Sequence, residues 1–123
     1  MIEVTWSWFG GFVDGEGTFY IGPKTRHGQF LSFSVVQKDR DVLVAIRDFL
    51  LARGCMNVRV YQREPRTIRG NWYPGVWALM VANADSLSHI CYHLIPHLQI
   101  KREKAICMGY IAGLKRSYYR KAS

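Results

Sequence analysis

Apolar residues recur along this chain in two rhythms that alternate, and the alternation divides it into helices and strands. Thr5 is placed to cap a first helix that runs on through Phe9, Phe12 and Val13. After Gly17 the period drops to two, with Phe19 and Ile21 on one face and Thr18, Tyr20, Gly22, Lys24 and Arg26 on the other. His27-Gly28 reads as a turn, and a second strand follows with Leu31, Phe33 and Val35 inward and Phe30, Ser32 and Ser34 outward. Asp39 is a candidate cap for a helix bearing Val42, Leu43, Ile46, Phe49 and Leu50 at helical spacing, closed by Gly54. A third strand alternates Val58 and Val60 with Arg59, Tyr61 and Arg63. A basic loop, Arg66 to Asn71, leads to a fourth with Trp77, Leu79 and Val81 inward and Val76, Ala78 and Met80 outward. Asn83 or Asp85 caps a third helix with Leu87, Ile90, Cys91 and Leu94 on its buried face, Pro96 interrupts, and a last helix runs from Lys101 onward. The expected order is αββαββα, an α+β fold in which helices cover one face of a single antiparallel sheet.

Length and composition narrow this picture. A chain of 123 residues is expected to form one domain, and 49% apolar against 21% charged residues is a globular balance. The apolar runs are too short to span a bilayer, and Met1-Ile2-Glu3-Val4 lacks the basic start of a signal peptide, so an intracellular protein is expected. Seventeen Lys and Arg against nine Asp and Glu leave a net charge of +8. Such an excess fits a polyanionic partner, most simply nucleic acid; no helix joins a lysine face to a broad apolar one, which argues against a membrane surface. Cys55, Cys91 and Cys107 are odd in number and widely spaced among apolar neighbours, and read as reduced core residues. His89, His93 and His97 recur every four residues, but Pro96 breaks the helix before the last of them, so a solvated helix face is expected there rather than a zinc site.

The run Phe9-Gly10-Gly11-Phe12-Val13-Asp14-Gly15-Glu16-Gly17 carries the chemistry. Two adjacent glycines inside an apolar helix cost about 1 kcal/mol each in propensity, which points to two backbones in close contact. Gly17 is expected to end the helix in a tight, φ-permissive turn with Glu16 at its tip. A close-packed helix pair that brings two copies of one carboxylate together is a way to build a metal site.

That run resembles the LAGLIDADG motif of homing endonucleases, position by position, with Phe for Leu, Gly for Ala and Glu for the second Asp. Phe33-Ser34-Val35-Val36-Gln37-Lys38 resembles the family's second-strand ending, and the stretch from Pro96 to Ala105 resembles the segment that carries its lysine. The expected αββαββα order is what the LAGLIDADG fold would show, so the likeness extends over nearly the whole chain. Met108 to Leu114 begins like a second copy but has no acid, so one motif is present. The resemblance therefore implies a two-fold homodimer with Phe9, Gly10, Gly11 and Phe12 at its interface.

It also implies a site-specific double-strand DNA endonuclease acting on a long near-palindromic site. Glu16 is its expected metal ligand, holding Mg2+ or another divalent cation such as Mn2+, and Gln37 and Lys101 bracket the site as catalytic groups. Asp14 is read as a cap on its own helix end. The outward strand residues form the expected reading face in the major groove: Tyr20, Lys24, Arg26, Ser32, Ser34, Arg59, Tyr61 and Arg63. Arg66, Arg69, Lys115 and Arg116 are expected to hold phosphates. The alternative is a relative that does not cut, an intron-splicing maturase with an RNA partner or a DNA-binding regulator. A basic RNA module that stacks bases on aromatics is a third reading, and it would need aromatics outward on neighbouring strands.

Overall fold

The computed structural model describes residues 2–122, with side chains as far as Lys115. Its elements are α1 (Trp6–Glu16), β1 (Gly17–Thr25), β2 (Gly28–Gln37), α2 (Arg40–Ala52), β3 (Arg59–Arg63), β4 (Arg66–Ile68), β5 (Asn71–Tyr73), β6 (Val76–Val81), α3 (Ala84–Leu94) and α4 (Arg102–Ala122). A short 3-10 turn, Ile95–His97, joins the last two helices, where Pro96 ends the α-helical pattern.

Capping chemistry marks the helix starts. Thr5 accepts a hydrogen bond from the Trp8 amide, Asp39 from that of Asp41, and Asn83 from that of Ser86. At the end of α2 the Gly54 and Cys55 amides turn back to the carbonyls of Leu51 and Leu50, with Gly54 at φ +88°. Ser86 is buried and fully used: its hydroxyl donates to the Met56 carbonyl and accepts from the Met56 amide, tying α3 to the chain beyond α2.

Four strands form an antiparallel sheet in the order β1-β2-β6-β3. Phe19, Phe33, Val35, Leu79 and Val81 project from it into one core with Phe9, Val13, Leu43, Ile46, Leu50, Leu87, Ile90 and Leu94 from the helices. The opposite face stays open. This is the expected α+β layering, with one addition. The segment expected as a basic loop is a hairpin of its own, β4 with β5, turned by Arg69 at φ +53° and Gly70 at φ +81°. Among the described residues no helix is long and apolar enough to cross a membrane.

Three local expectations change. Gly17 adopts an extended backbone (φ −89°, ψ 159°), so it is not a left-handed turn residue; a Cβ there would lie 2.8 Å from Val13 Cγ1, and closeness is what requires glycine. Cys107 is exposed, whereas Cys55 and Cys91 are in the core, where burial raises both thiols, Cys91 to about 12. His89 and His93 are half-buried against Trp6, whose ring stacks on His93 at 4.9 Å, so that face of α3 packs on α1 and is not solvated. Among the described residues no group of three or more His, Cys, Asp and Glu side chains is arranged to hold a metal.

Candidate active site at the end of the first helix

The end of α1 and the segment just ahead of α4 are locked together by an exchange of side chains and backbone. The Asp14 carboxylate accepts from the amides of Gln99 (2.8 Å), Ile100 (3.0 Å) and Lys101 (3.0 Å). In return the Lys101 ammonium donates to the Val13 carbonyl at 3.0 Å and to the Gly17 carbonyl. Asp14 thus caps the turn ahead of α4, not its own helix end. An anion fits there, since the free amides at a helix start carry partial positive charge. Burial pushes the Asp14 carboxyl up, but the three amides and the Lys101 charge outweigh it and hold the group below the ordinary carboxylate range. Lys101 correspondingly neutralises the carbonyl end of α1.

Strand register brings Glu16 and Gln37 to the same end of the sheet. Gly17 pairs with Val35, so Glu16, one residue before it, lies beside the last residues of β2, which ends at Gln37. Gln37 pairs with Trp77 across β6, and its side-chain oxygen accepts from the Lys38 amide at 3.0 Å. The Lys101 ammonium reaches the same place through Gly17. Glu16 is exposed, and among the described residues its carboxylate has no hydrogen-bond or ion-pair partner. One unengaged carboxylate per chain is an oxygen donor suited to a hard divalent cation that keeps most of its waters.

The expected DNA contacts are spread over the four-stranded sheet, the β1–β2 hairpin end and the separate β4–β5 hairpin, and past the register shift Lys24 pairs with Gln29 and leaves the row of Tyr20. Tyr20, Lys24, Arg26, Arg59, Arg63, Arg66 and Arg69 are exposed, and Ser34 and Tyr61 are half-exposed. Cross-strand pairs align Thr18 with Ser34, Ser34 with Met80, and Met80 with Arg59. Arg26 sits in the β1–β2 turn, beyond the strand. Ser32 is a correction: it is buried at 8% exposure on a central strand, opposite Tyr20, and presents little to a ligand. Lys115 is another, because its ammonium donates to the Gln29 carbonyl and so anchors α4 to the β1–β2 hairpin. The side chain of Arg116 lies outside the described residues.

Two of the four expected interface residues also turn inward. Phe9 is fully buried among Phe33, Phe49 and Trp6. Gly10 is buried against His97, where a Cβ would stand 2.5 Å from His97 Cβ. The close backbone contact inferred for the glycine pair is therefore within the chain at Gly10. Gly11 is exposed with open space around it, and Phe12 is half-exposed, stacked on Trp8 at 5.2 Å. What the sequence reading missed is Phe30, outward and exposed beside Tyr20, and the partner of Asp14; the first was visible in the alternation, the second was not.

The sequence matches no family model and no curated protein. Solved structures do resemble it. The homing endonuclease I-CvuI, in complex with its target in the presence of 2 mM Ca, superposes with a TM-score of 0.69 at 24% identity, over 88% of this chain and 65% of that one. The archaeal intron-encoded homing endonuclease I-Vdi141I complexed with DNA gives 0.64 at 23% identity, over 88% and 66%. The LAGLIDADG meganuclease I-AabMI bound to uncleaved DNA gives 0.67 at 22% identity, over 94% and 38%. The chain spans about two-thirds or less of the length of each. At these identities the likeness is one of architecture: this chain has the LAGLIDADG homing endonuclease fold.

Proposed function

We propose that the protein is a site-specific double-strand DNA endonuclease that works as a two-fold homodimer and needs a divalent cation, magnesium or manganese. The observation that carries this reading is the Glu16 carboxylate, without a partner among the described residues, at the end of an open, arginine-rich sheet, on a fold shared with DNA-bound homing endonucleases. Bound there, the cation would supply charge neutralisation at the scissile phosphate and an activated water. Glu16 would hold it, and the Gln37 amide nitrogen would orient a water or a phosphate oxygen. Lys101 fixes the start of β1, and its positive charge stands beside the site. Arg59, Arg63, Arg66 and Arg69 meet the DNA, as bases or as phosphates. A second copy completes the site through the outward face of α1, at Gly11 and Phe12.

One observation favours the non-cutting alternative, a DNA-binding regulator or an RNA-binding maturase. The Lys101 ammonium is already committed to two backbone carbonyls, which is a structural use of that side chain. Cleavage decides between them. A randomised duplex library incubated with the protein in magnesium should yield cut products with a near-palindromic consensus. Glu16→Gln should reduce cutting by about a thousandfold or more, since metal activation lowers the barrier by several kcal/mol, while binding to the selected duplex stays. Cutting at the wild-type rate by this variant would remove Glu16 from the site. Binding without any cutting by the wild-type chain would favour the regulator.

A further inference from the structure

The β1–β2 hairpin carries an aromatic pair on the open face of the sheet. Tyr20 is 49% and Phe30 55% exposed, with ring centroids 6.3 Å apart. Both point away from the core, into which Phe19, Leu31 and Phe33 project from the same strands. The rings are held in a stiff ribbon. Gln29 donates to the Gly22 carbonyl at 2.6 Å across the register shift in β1, and Thr25 donates to the Gly28 carbonyl at 2.8 Å at the turn. Gly22 leaves room for the pair, since a Cβ there would lie 3.1 Å from the Phe30 carbonyl oxygen and 3.5 Å from the Tyr20 ring.

Leaving two rings in water is unfavourable unless a partner covers them. Lys24 and Arg26 stand beside them on the same hairpin, and no acid lies between Glu16 and Asp39, so the neighbourhood suits an anionic partner. Within the major groove of DNA, thymine alone among the four bases shows an apolar group, its 5-methyl. With Ser32 buried, the rings are the apolar surface that this hairpin offers to a base edge, beside the charges of Lys24 and Arg26.

We propose that Tyr20 and Phe30 are specificity residues that recognise thymine 5-methyl groups in the major groove. The proposal rests on the DNA reading above and sharpens it. Its test is a binding selection from randomised duplexes without divalent metal, followed by replacement of each selected thymine with deoxyuridine, which lacks only the methyl. The wild-type chain should select thymine at defined positions and lose about fourfold in affinity per methyl removed, the worth of one buried carbon. Phe30→Ala should bind thymine and uracil duplexes nearly alike at one of these positions, Tyr20→Ala at another, and Phe30→Leu should keep part of the preference. Arg66→Ala should weaken both duplexes equally. A consensus free of thymine, or equal binding of thymine and uracil duplexes by the wild-type chain, overturns the proposal while leaving DNA binding intact. Indifference of the ratio to all three aromatic variants overturns the assignment to these rings, and a changed oligomeric mass in those variants would give the rings to a protein contact. Failure to bind any duplex removes the DNA reading itself.

Discussion

On one side of α1, Phe9, Gly10 and Val13 are sealed against the rest of the chain; on the other, Ser7, Gly11 and Gly15 are open, and a Cβ at either of these glycines would meet nothing. Gly10 and Gly11 are neighbours of identical chemistry with opposite surroundings. The first lets α1 lie directly on the turn at His97, which sets the distance at which Asp14 can reach the amides of residues 99–101. The second does nothing for the isolated chain and weakens its helix by about 1 kcal/mol. A cost with no return inside the fold is what an outward contact would explain, and the homodimer proposed above puts it there. The two sides of one helix thus separate what holds the fold from what is left for a partner.

Substitutions at the two glycines break this contrast most directly. Gly10→Ala places a methyl 2.5 Å from His97 Cβ and 2.8 Å from its carbonyl oxygen, neither of which can yield cheaply. A loss of about 3 kcal/mol is expected, at the upper end of overpacking costs, read from urea unfolding. If unfolding is unchanged, α1 does not lie on this turn as described.

The Asp14–Lys101 exchange gives the next largest effect. Asp14→Asn should cost about 2 kcal/mol near neutral pH, since it removes a charged acceptor of three amides. The sign with pH follows from the direction of the shift. Because the folded state holds this carboxyl below its ordinary range, its contribution is fully present above the unfolded value near 3.9. It fades as pH falls through the lower folded value. The difference in stability between wild type and variant should therefore be level from pH 7 to about pH 4 and shrink below that. A difference that grows on acidification would contradict the assigned cap.

Gly11→Ala should be the smallest change in the chain by itself, a gain of up to about 1 kcal/mol from helix propensity. Where it matters is association. Light scattering should find the wild-type chain as a dimer and Gly11→Leu as a larger monomer fraction with unfolding little altered. A monomer at all concentrations in the wild type, with or without DNA, would leave the open side of α1 without its proposed partner.

Much of the architecture was legible along the chain because it depends on residues close in sequence. Period two marked the four long strands, period 3.6 marked the helices, and Thr5, Asp39, Asn83 and Gly54 are caps whose partners lie two or three residues away. The β4–β5 hairpin escaped because its strands are three residues each, too short to show a period. Glu16 was legible as the exposed acid at the end of the motif helix. The roles around it were not. Asp14 binds amides 85 to 87 residues away, Lys101 reaches back to the first helix, Lys115 is spent on Gln29, and Ser32 is outward in alternation yet shaded on a central strand. Periodicity tells which way a side chain leaves the backbone. Which atoms wait there, and whether any of its charge or surface remains for a ligand, depends on elements distant in sequence, and only their packing decides it.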